Sequence, residues 1–122
     1  MARVLVVEDN ALNLELFIQM LEDEHELRTA GDGAAGVEAA LVDVPDIILM
    51  DISMPRMDGL TACALLRKDE KTRSVPIVAV TAHAIRGDRE RFIAAGFDAY
   101  VSKPIDEDVL KATMASLLKG RS

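Results

Sequence analysis

Cysteine occurs once, at Cys63, so no internal disulfide can form and a reducing, cytoplasmic setting is expected. Long apolar runs are missing. Ile47-Ile48-Leu49-Met50 and its neighbours fall far short of the ~20 residues a membrane helix needs, so no membrane insertion is expected. Residues 1–3 lead straight into a strand-like run, which leaves no room for a signal peptide. Basic residues are the minority, 14 Lys and Arg against 21 Asp and Glu, giving a net charge of −7. That balance argues against nucleic acid as a direct partner, because nucleic-acid-binding domains carry a basic footprint. Repeats, linkers and low-complexity tracts are absent as well, and the composition excludes collagen, coiled coil and disorder. What is present is 122 residues, 50% hydrophobic and 29% charged. A chain of that size buries roughly two-thirds of the surface it exposes when unfolded. Residues 1–122 are therefore expected to form one self-sufficient domain, with no second domain attached.

Short β-branched runs alternate with longer helical patterns. Strands are expected at 3–7, 26–30, 46–50, 76–80 and 99–102, and helices at about 11–24, 34–43, 59–70, 86–95 and 106–119. Strict alternation implies right-handed crossovers and a parallel sheet covered on both faces, an α/β fold. Val4-Leu5-Val6-Val7, Ile47-Ile48-Leu49-Met50 and Ile77-Val78-Ala79-Val80 are the most continuous apolar runs. They read as central strands, and the mixed runs around Leu27 and Tyr100 as edges; the order 2-1-3-4-5 satisfies both. Leu14, Phe17, Ile18 and Leu21 recur at helical spacing and should face the sheet. Asp106 reads as an N-cap with Glu107 and Asp108 in the first turn, and Ala95-Gly96 and Lys119-Gly120 read as helix stops. Gly87 weakens the start of the fourth helix and makes that segment the expected mobile one.

In an open α/β sheet, ligands bind beyond the carboxyl ends of the strands, where the strand order reverses. Glu8-Asp9 follows the first strand, Asp51 the third, Thr81 the fourth and Ser102-Lys103-Pro104 the fifth. Any one polar residue at a strand end is ordinary loop chemistry. Three carboxylates, a hydroxyl and an ammonium converging on one rim make a site. The carboxylates repel one another unless a cation neutralises them. Hard oxygen donors select Mg2+, with Mn2+ or Ca2+ as substitutes, and zinc is unsupported because Cys63, His25 and His83 lack ligand spacing. Lys103 and Thr81 can hold an anion beside the metal. Metal, ammonium, hydroxyl and a carboxylate nucleophile together form a phosphoryl-transfer site.

These residues carry a family resemblance. Val6-Val7-Glu8-Asp9-Asn10, Leu49-Met50-Asp51-Ile52-Ser53-Met54-Pro55, Asp58-Gly59, Thr81-Ala82 and Tyr100-Val101-Ser102-Lys103-Pro104 resemble the receiver domain of two-component response regulators, in order and over essentially the whole chain. The resemblance implies a flavodoxin-like (βα)5 doubly wound sheet of order 2-1-3-4-5. It implies that Asp51 is the phosphoacceptor, attacking a phosphohistidine to give an aspartyl phosphate. Asp9 would bind Mg2+ directly and Glu8 through water, with Asp51 and the Ser53 carbonyl completing the shell. Many receivers carry two aspartates where this chain has Glu8-Asp9; the longer glutamate is a common variant. Lys103 would hold a phosphoryl oxygen, ahead of a cis Lys103-Pro104 bond. Thr81, followed by Ala82, would bond the phosphoryl group, and Tyr100 would rotate inward, changing the face of the fourth helix, fifth strand and fifth helix.

The implied protein is a stand-alone phosphoacceptor switch rather than an enzyme acting on a separate substrate. A histidine kinase or histidine phosphotransfer protein would act upstream and a protein target downstream. A relay intermediate passing phosphate between histidine proteins, or a receiver cut from a hybrid histidine kinase, is the alternative. Thr81-Ala82-His83-Ala84 and Gly87-Asp88-Arg89-Glu90 resemble both single-domain cell-cycle regulators and the receivers of hybrid kinases. A haloacid-dehalogenase-like phosphatase would need a second acid where this chain has Asp51-Ile52-Ser53. A flavodoxin would need a phosphate loop where Glu8-Asp9 repels phosphate.

Other residues have two readings each. Cys63 lies on an apolar helix face and reads as packing. Ser53 and His83 would flank the phosphate and modulate its hydrolysis, or be ordinary loop residues. Arg86, Arg89 and Arg91 form a solvated face or meet an acidic partner. Tyr100, without the resemblance, is an edge-strand aromatic. Leu12, Leu16 and Met20 form a second stripe on the first helix, either packed on the fifth helix or forming the surface where a phosphotransfer protein docks.

Overall fold

The computed structural model describes residues 2–52, 54, 57–82 and 88–119, with backbone alone at 88 and 89. Strands and helices alternate throughout: β1 (Arg3–Val7), α1 (Ala11–Leu21), β2 (Glu26–Ala30), α2 (Gly33–Val42), β3 (Ile47–Asp51), α3 (Gly59–Lys68), β4 (Ile77–Thr81), α4 (Asp88–Ala95), β5 (Ala99–Ser102) and α5 (Glu107–Lys119). All four strand pairings are parallel, and the order is β2-β1-β3-β4-β5, as expected.

Side chains alternate across a strand, so each continuous apolar run divides between two cores. Leu5, Val7, Ile48, Met50, Ile77 and Ala79 pack with Ala40 of α2, Cys63 and Leu66 of α3 and Phe92 of α4. Val4, Val6, Ile47, Leu49, Val78 and Val80 pack with Phe17 and Leu21 of α1 and Leu110 and Met114 of α5. Cys63 is fully buried, and burial pushes its thiol up to about 11, so it belongs to the packing. Among the described residues, no helix is long and apolar enough to cross a membrane.

Helix ends follow local chemistry. Asn10, Asp32, Asp58 and Asp106 each accept backbone N–H bonds from the first turn of the helix that follows. α1 stops at Leu21, short of the expected residue 24, and His25 N donates to Leu21 O at 3.0 Å. Glu22-Asp23-Glu24 would place three acids at a helix C-terminus, where the dipole disfavours them. α3 stops at Lys68 rather than residue 70, and Thr72 Oγ1 donates to Leu66 O at 2.6 Å, supplying a donor for a terminal carbonyl. α4 closes on Gly96, whose φ of +110° suits glycine, with Phe97 N donating to Phe92 O at 3.0 Å. Residues 86, 87 and 120, which carry the expected helix start, mobile segment and final stop, lie outside the described residues.

The first helix corrects one assignment. Phe17 and Leu21 are buried and Leu14 flanks them, but Met20 rather than Ile18 is the further residue packed on that cluster. At 3.6 residues per turn, Met20 lies about 60° from Phe17 and Ile18 about 100°. Met20 thus falls on the core side of the stripe, leaving Leu12 and Leu16 outside it.

Arg67 joins three segments distant in sequence. Its Nε donates to Gly96 O at 2.8 Å, Nη1 to Arg73 O at 2.9 Å and Val75 O at 2.6 Å, and Nη2 to Asp98 Oδ2 at 2.8 Å. The same Asp98 oxygen accepts Ile77 N at 2.8 Å, fixing the start of β4 to the start of β5. Arg67→Met keeps the aliphatic bulk but strands these acceptors. It should cost about 2–4 kcal/mol, lowering the melting temperature by roughly 10 °C. A melt within about 2 °C of wild type would show that the network contributes little.

Candidate functional site

The carboxyl ends of β1, β3, β4 and β5 share one rim because the strands are parallel. The register pairs Val7 with Met50, Asp51 with Val80 and Thr81 with Ser102. Glu8 therefore leaves β1 beside Asp51 at the end of β3. Glu8, Asp51 and Thr81 are 1%, 4% and 6% exposed, whereas Asp9 is open to solvent. One carboxylate oxygen each from Glu8, Asp9 and Asp51 lie within 4.8 Å of one another.

Lys103 enters from β5. Its Nζ lies 3.2 Å from Glu8 Oε1 and 3.4 Å from Asp51 Oδ2, bridging the two buried acids. Its backbone N–H donates to Thr81 O at 2.7 Å, which ties the lysine to the end of β4. The Lys103-Pro104 peptide is cis. Thr81 is buried, Ala82 and Pro104 are exposed, and Tyr100 is half-buried, its ring 5.8 Å from that of Phe92.

Two residues that stand in the motifs of the sequence take roles at the rim that the sequence did not assign them. Asn10 N donates to Glu8 Oε2 at 3.2 Å while its side chain caps α1; an Asn preceding an apolar-periodic run was the available signal. Gly59 N donates to Ile52 O at 3.0 Å, and a Cβ on Gly59 would lie 2.4 Å from Asp51 O. Only glycine permits so close an approach of α3 to the end of β3. Of the remaining candidates, Ser53 and His83 lie outside the described residues, as do Arg86 and the side chain of Arg89. Arg91 stacks over the Phe92 ring at 5.3 Å. Leu12 and Leu16, 74% and 45% exposed, line an open groove of about 280 Å3 with Glu15 and Gln19.

The acids suit a divalent cation. Glu8 Oε1 is buried and accepts no aligned hydrogen bond among the described residues, although the Lys103 ammonium is close to it. Burial above all, and then the adjacent Asp51, push the Glu8 carboxyl from 4.5 to about 7; the Asn10 N–H and Lys103 oppose this only in part. An oxygen-only cluster with such unmet demand matches Mg2+ rather than a soft metal.

A doubly wound parallel sheet carrying three acids, a threonine and a lysine at its switch point describes a signalling receiver. The chain belongs to the response regulator receiver domain family, whose model matches residues 4–115. It is 40% identical over 116 residues to the polar-differentiation response regulator DivK of Brucella ovis, covering 94% of each chain. It is 43% identical over 119 residues to the response regulator PleD of Caulobacter vibrioides; the match takes in 97% of this chain and 26% of PleD, so the chain spans about a quarter of that relative. The receiver domain of the sensor histidine kinase PA1611 from Pseudomonas aeruginosa, solved with a magnesium ion in its active site cleft, superposes with a TM-score of 0.90 at 34% identity, covering 97% of this chain and 98% of that one. The chemotaxis protein CheY4 of Vibrio cholerae also gives 0.90, at 26% identity and 96% and 98% coverage.

The raised Glu8 carboxyl has a consequence for stability. Between its ordinary 4.5 and about 7 the folded state holds a proton that the unfolded chain has released. Its contribution is therefore full below the ordinary value and is lost as pH rises through about 7. In EDTA the melting temperature should fall from pH 5 to pH 8, and Glu8→Gln should flatten that fall. An unchanged slope in Glu8→Gln would remove Glu8 as its source.

Proposed function

We propose that this chain is a phosphoacceptor switch, taking a phosphoryl group from the phosphohistidine of a histidine kinase or phosphotransfer protein onto Asp51. The observation that carries this reading is the position of Asp51, 4% exposed and 3.4 Å from Lys103 Nζ, at the floor of the acidic rim. An Asp51 carboxylate oxygen attacks phosphorus, the new O–P bond forms, and the P–N bond breaks with its electron pair leaving on the imidazole. Glu8, Asp9 and Asp51 would hold Mg2+, with the Ser53 carbonyl assigned by resemblance. When bound, the ion offsets repulsion between the anionic donor and the carboxylates and stabilises charge on the transferring phosphoryl oxygens.

Lys103 holds one phosphoryl oxygen from the β5 side, and the Thr81 hydroxyl bonds another from β4. Drawing Thr81 toward the phosphate frees space behind it for Tyr100, whose ring already packs on Phe92 of α4. The output is a changed protein-binding face rather than turnover of a second substrate. A cytoplasmic setting accords with the lone, buried Cys63. A second reading, a receiver acting inside a longer protein, is favoured by the likeness to PleD and to the PA1611 receiver. The phosphoryl chemistry is the same in both.

With acetyl phosphate and Mg2+, the intact mass should rise by roughly one phosphoryl unit in wild type, but not in Asp51→Asn or in EDTA. Stoichiometric modification of Asp51→Asn would move the acceptor elsewhere. Leu12 and Leu16 are the docking residues for a protein donor, an exposed apolar pair on α1 beside the acidic rim. Leu16→Glu should slow transfer from a phosphorylated histidine protein about tenfold or more while leaving the acetyl phosphate reaction intact. Equal loss with both donors would show that Leu16 acts on the fold rather than on docking.

A further inference from the structure

α2 carries one charged residue, Glu38, among ten. A helix apolar on all sides is normally enclosed, yet Ala34, Ala35 and Val42 face solvent. Val42, 80% exposed, is the most exposed large apolar residue among those described. One face of α2 is committed to the core: Ala40 is fully buried, and a Cβ on Gly36 would lie 2.8 Å from Val7 Cγ2. The opposite side borders an open groove of about 580 Å3, lined by Ala34, Val37, Leu41, Val42 and Met57 together with Glu38 and Lys71. Among the described residues neither the Glu38 nor the Lys71 side chain makes an ion pair or hydrogen bond, so both charges on this groove are open to a partner.

We propose that this groove docks a second copy of the chain, through a two-fold contact in which Val42 of each copy enters the groove of the other. Glu38 of each copy then faces Lys71 of its partner. A two-fold interface must be complementary to itself. An apolar groove with one unused acid and one unused base on its rim meets that condition, whereas a wholly acidic or wholly basic partner would match half of it. The chain's net charge of −7 makes contact between two copies repulsive over most of the surface. Among the described lining residues of the groove the charges sum to zero. Ala34 and Ala35 add little bulk, so two α2 backbones can approach closely. A face built from one short helix and adjoining loops lies at the small end of interface sizes, so the association is weak and concentration-dependent.

Sedimentation of the unphosphorylated chain in EDTA tests this without reference to phosphoryl chemistry. From about 10 µM to about 1 mM, the wild-type mass should move from 13.3 kDa toward twice that value. Val42→Asp should remain monomeric with an unchanged far-ultraviolet spectrum. Glu38→Lys and Lys71→Glu should each weaken dimerisation roughly tenfold, and the double reversal should restore it. A monomer at every concentration, or a dimer indifferent to Val42→Asp, would overturn the proposal. So would failure of the double reversal to rescue, or binding of a different protein at this face while the chain itself stays monomeric.

Discussion

Strands covered on both faces leave a chain little room for charge except at their ends. β3 and β4 bury every residue and β1 all but Arg3, so the first side chains free to be ionic are those at the carboxyl rim. Because the strands are parallel, that rim collects Glu8, Asp51, Thr81 and Lys103 from four separate places in the sequence. The order β2-β1-β3-β4-β5 then sets β1 beside β3. Adjacency in the sheet, not any local motif, makes Glu8 and Asp51 a pair.

That pairing leaves an electrostatic debt within the fold. Two carboxylates of nearly zero exposure stand together, and one lysine spans both at 3.2 and 3.4 Å. A single positive charge neutralises one acid, and burial raises the carboxyl of Glu8 well above its ordinary range. A cation binding there, or a phosphoryl group meeting the ammonium, would relieve the repulsion between these acids. The proposed preference for hard cations and the proposed capacity to accept phosphate would thus have one origin.

The scaffold holds some parts of this arrangement more firmly than others. Asn10 fixes the first turn of α1 to the Glu8 carboxylate, so the apolar pair Leu12 and Leu16 is positioned by the same segment that builds the pocket. On the far side, Arg67 and Asp98 pin the end of α4 and the start of β5 to β4. Tyr100 lies two residues beyond that anchor, in contact with Phe92. A rearrangement of Tyr100, as proposed, would therefore occur between a tethered helix end and the acidic rim, along the α4–β5 face.

Much of this was written locally. Runs of four apolar residues announced β1, β3 and β4, and the single polar residues that end them named Glu8, Asp51 and Thr81. Lys103 was legible by the same rule at β5, because a parallel sheet sends every strand end to one side. Other features depend on angles and distances that residue types do not encode. Met20 rather than Ile18 joins the core because of its bearing around α1. α1 ends early because Glu22-Asp23-Glu24 meets the helix dipole. Asn10 and Gly59 gained their roles from approach to Glu8 and to the Asp51 carbonyl. The Arg67 network spans 31 residues to Asp98, and Glu38 and Lys71 share a groove only once α2 lies beside the segments carrying Met57 and Lys71. Composition and periodicity decided which residues are buried and which strands are central; only packing in three dimensions decided which charges meet, because a charge's partner is set by distance through space, not along the chain.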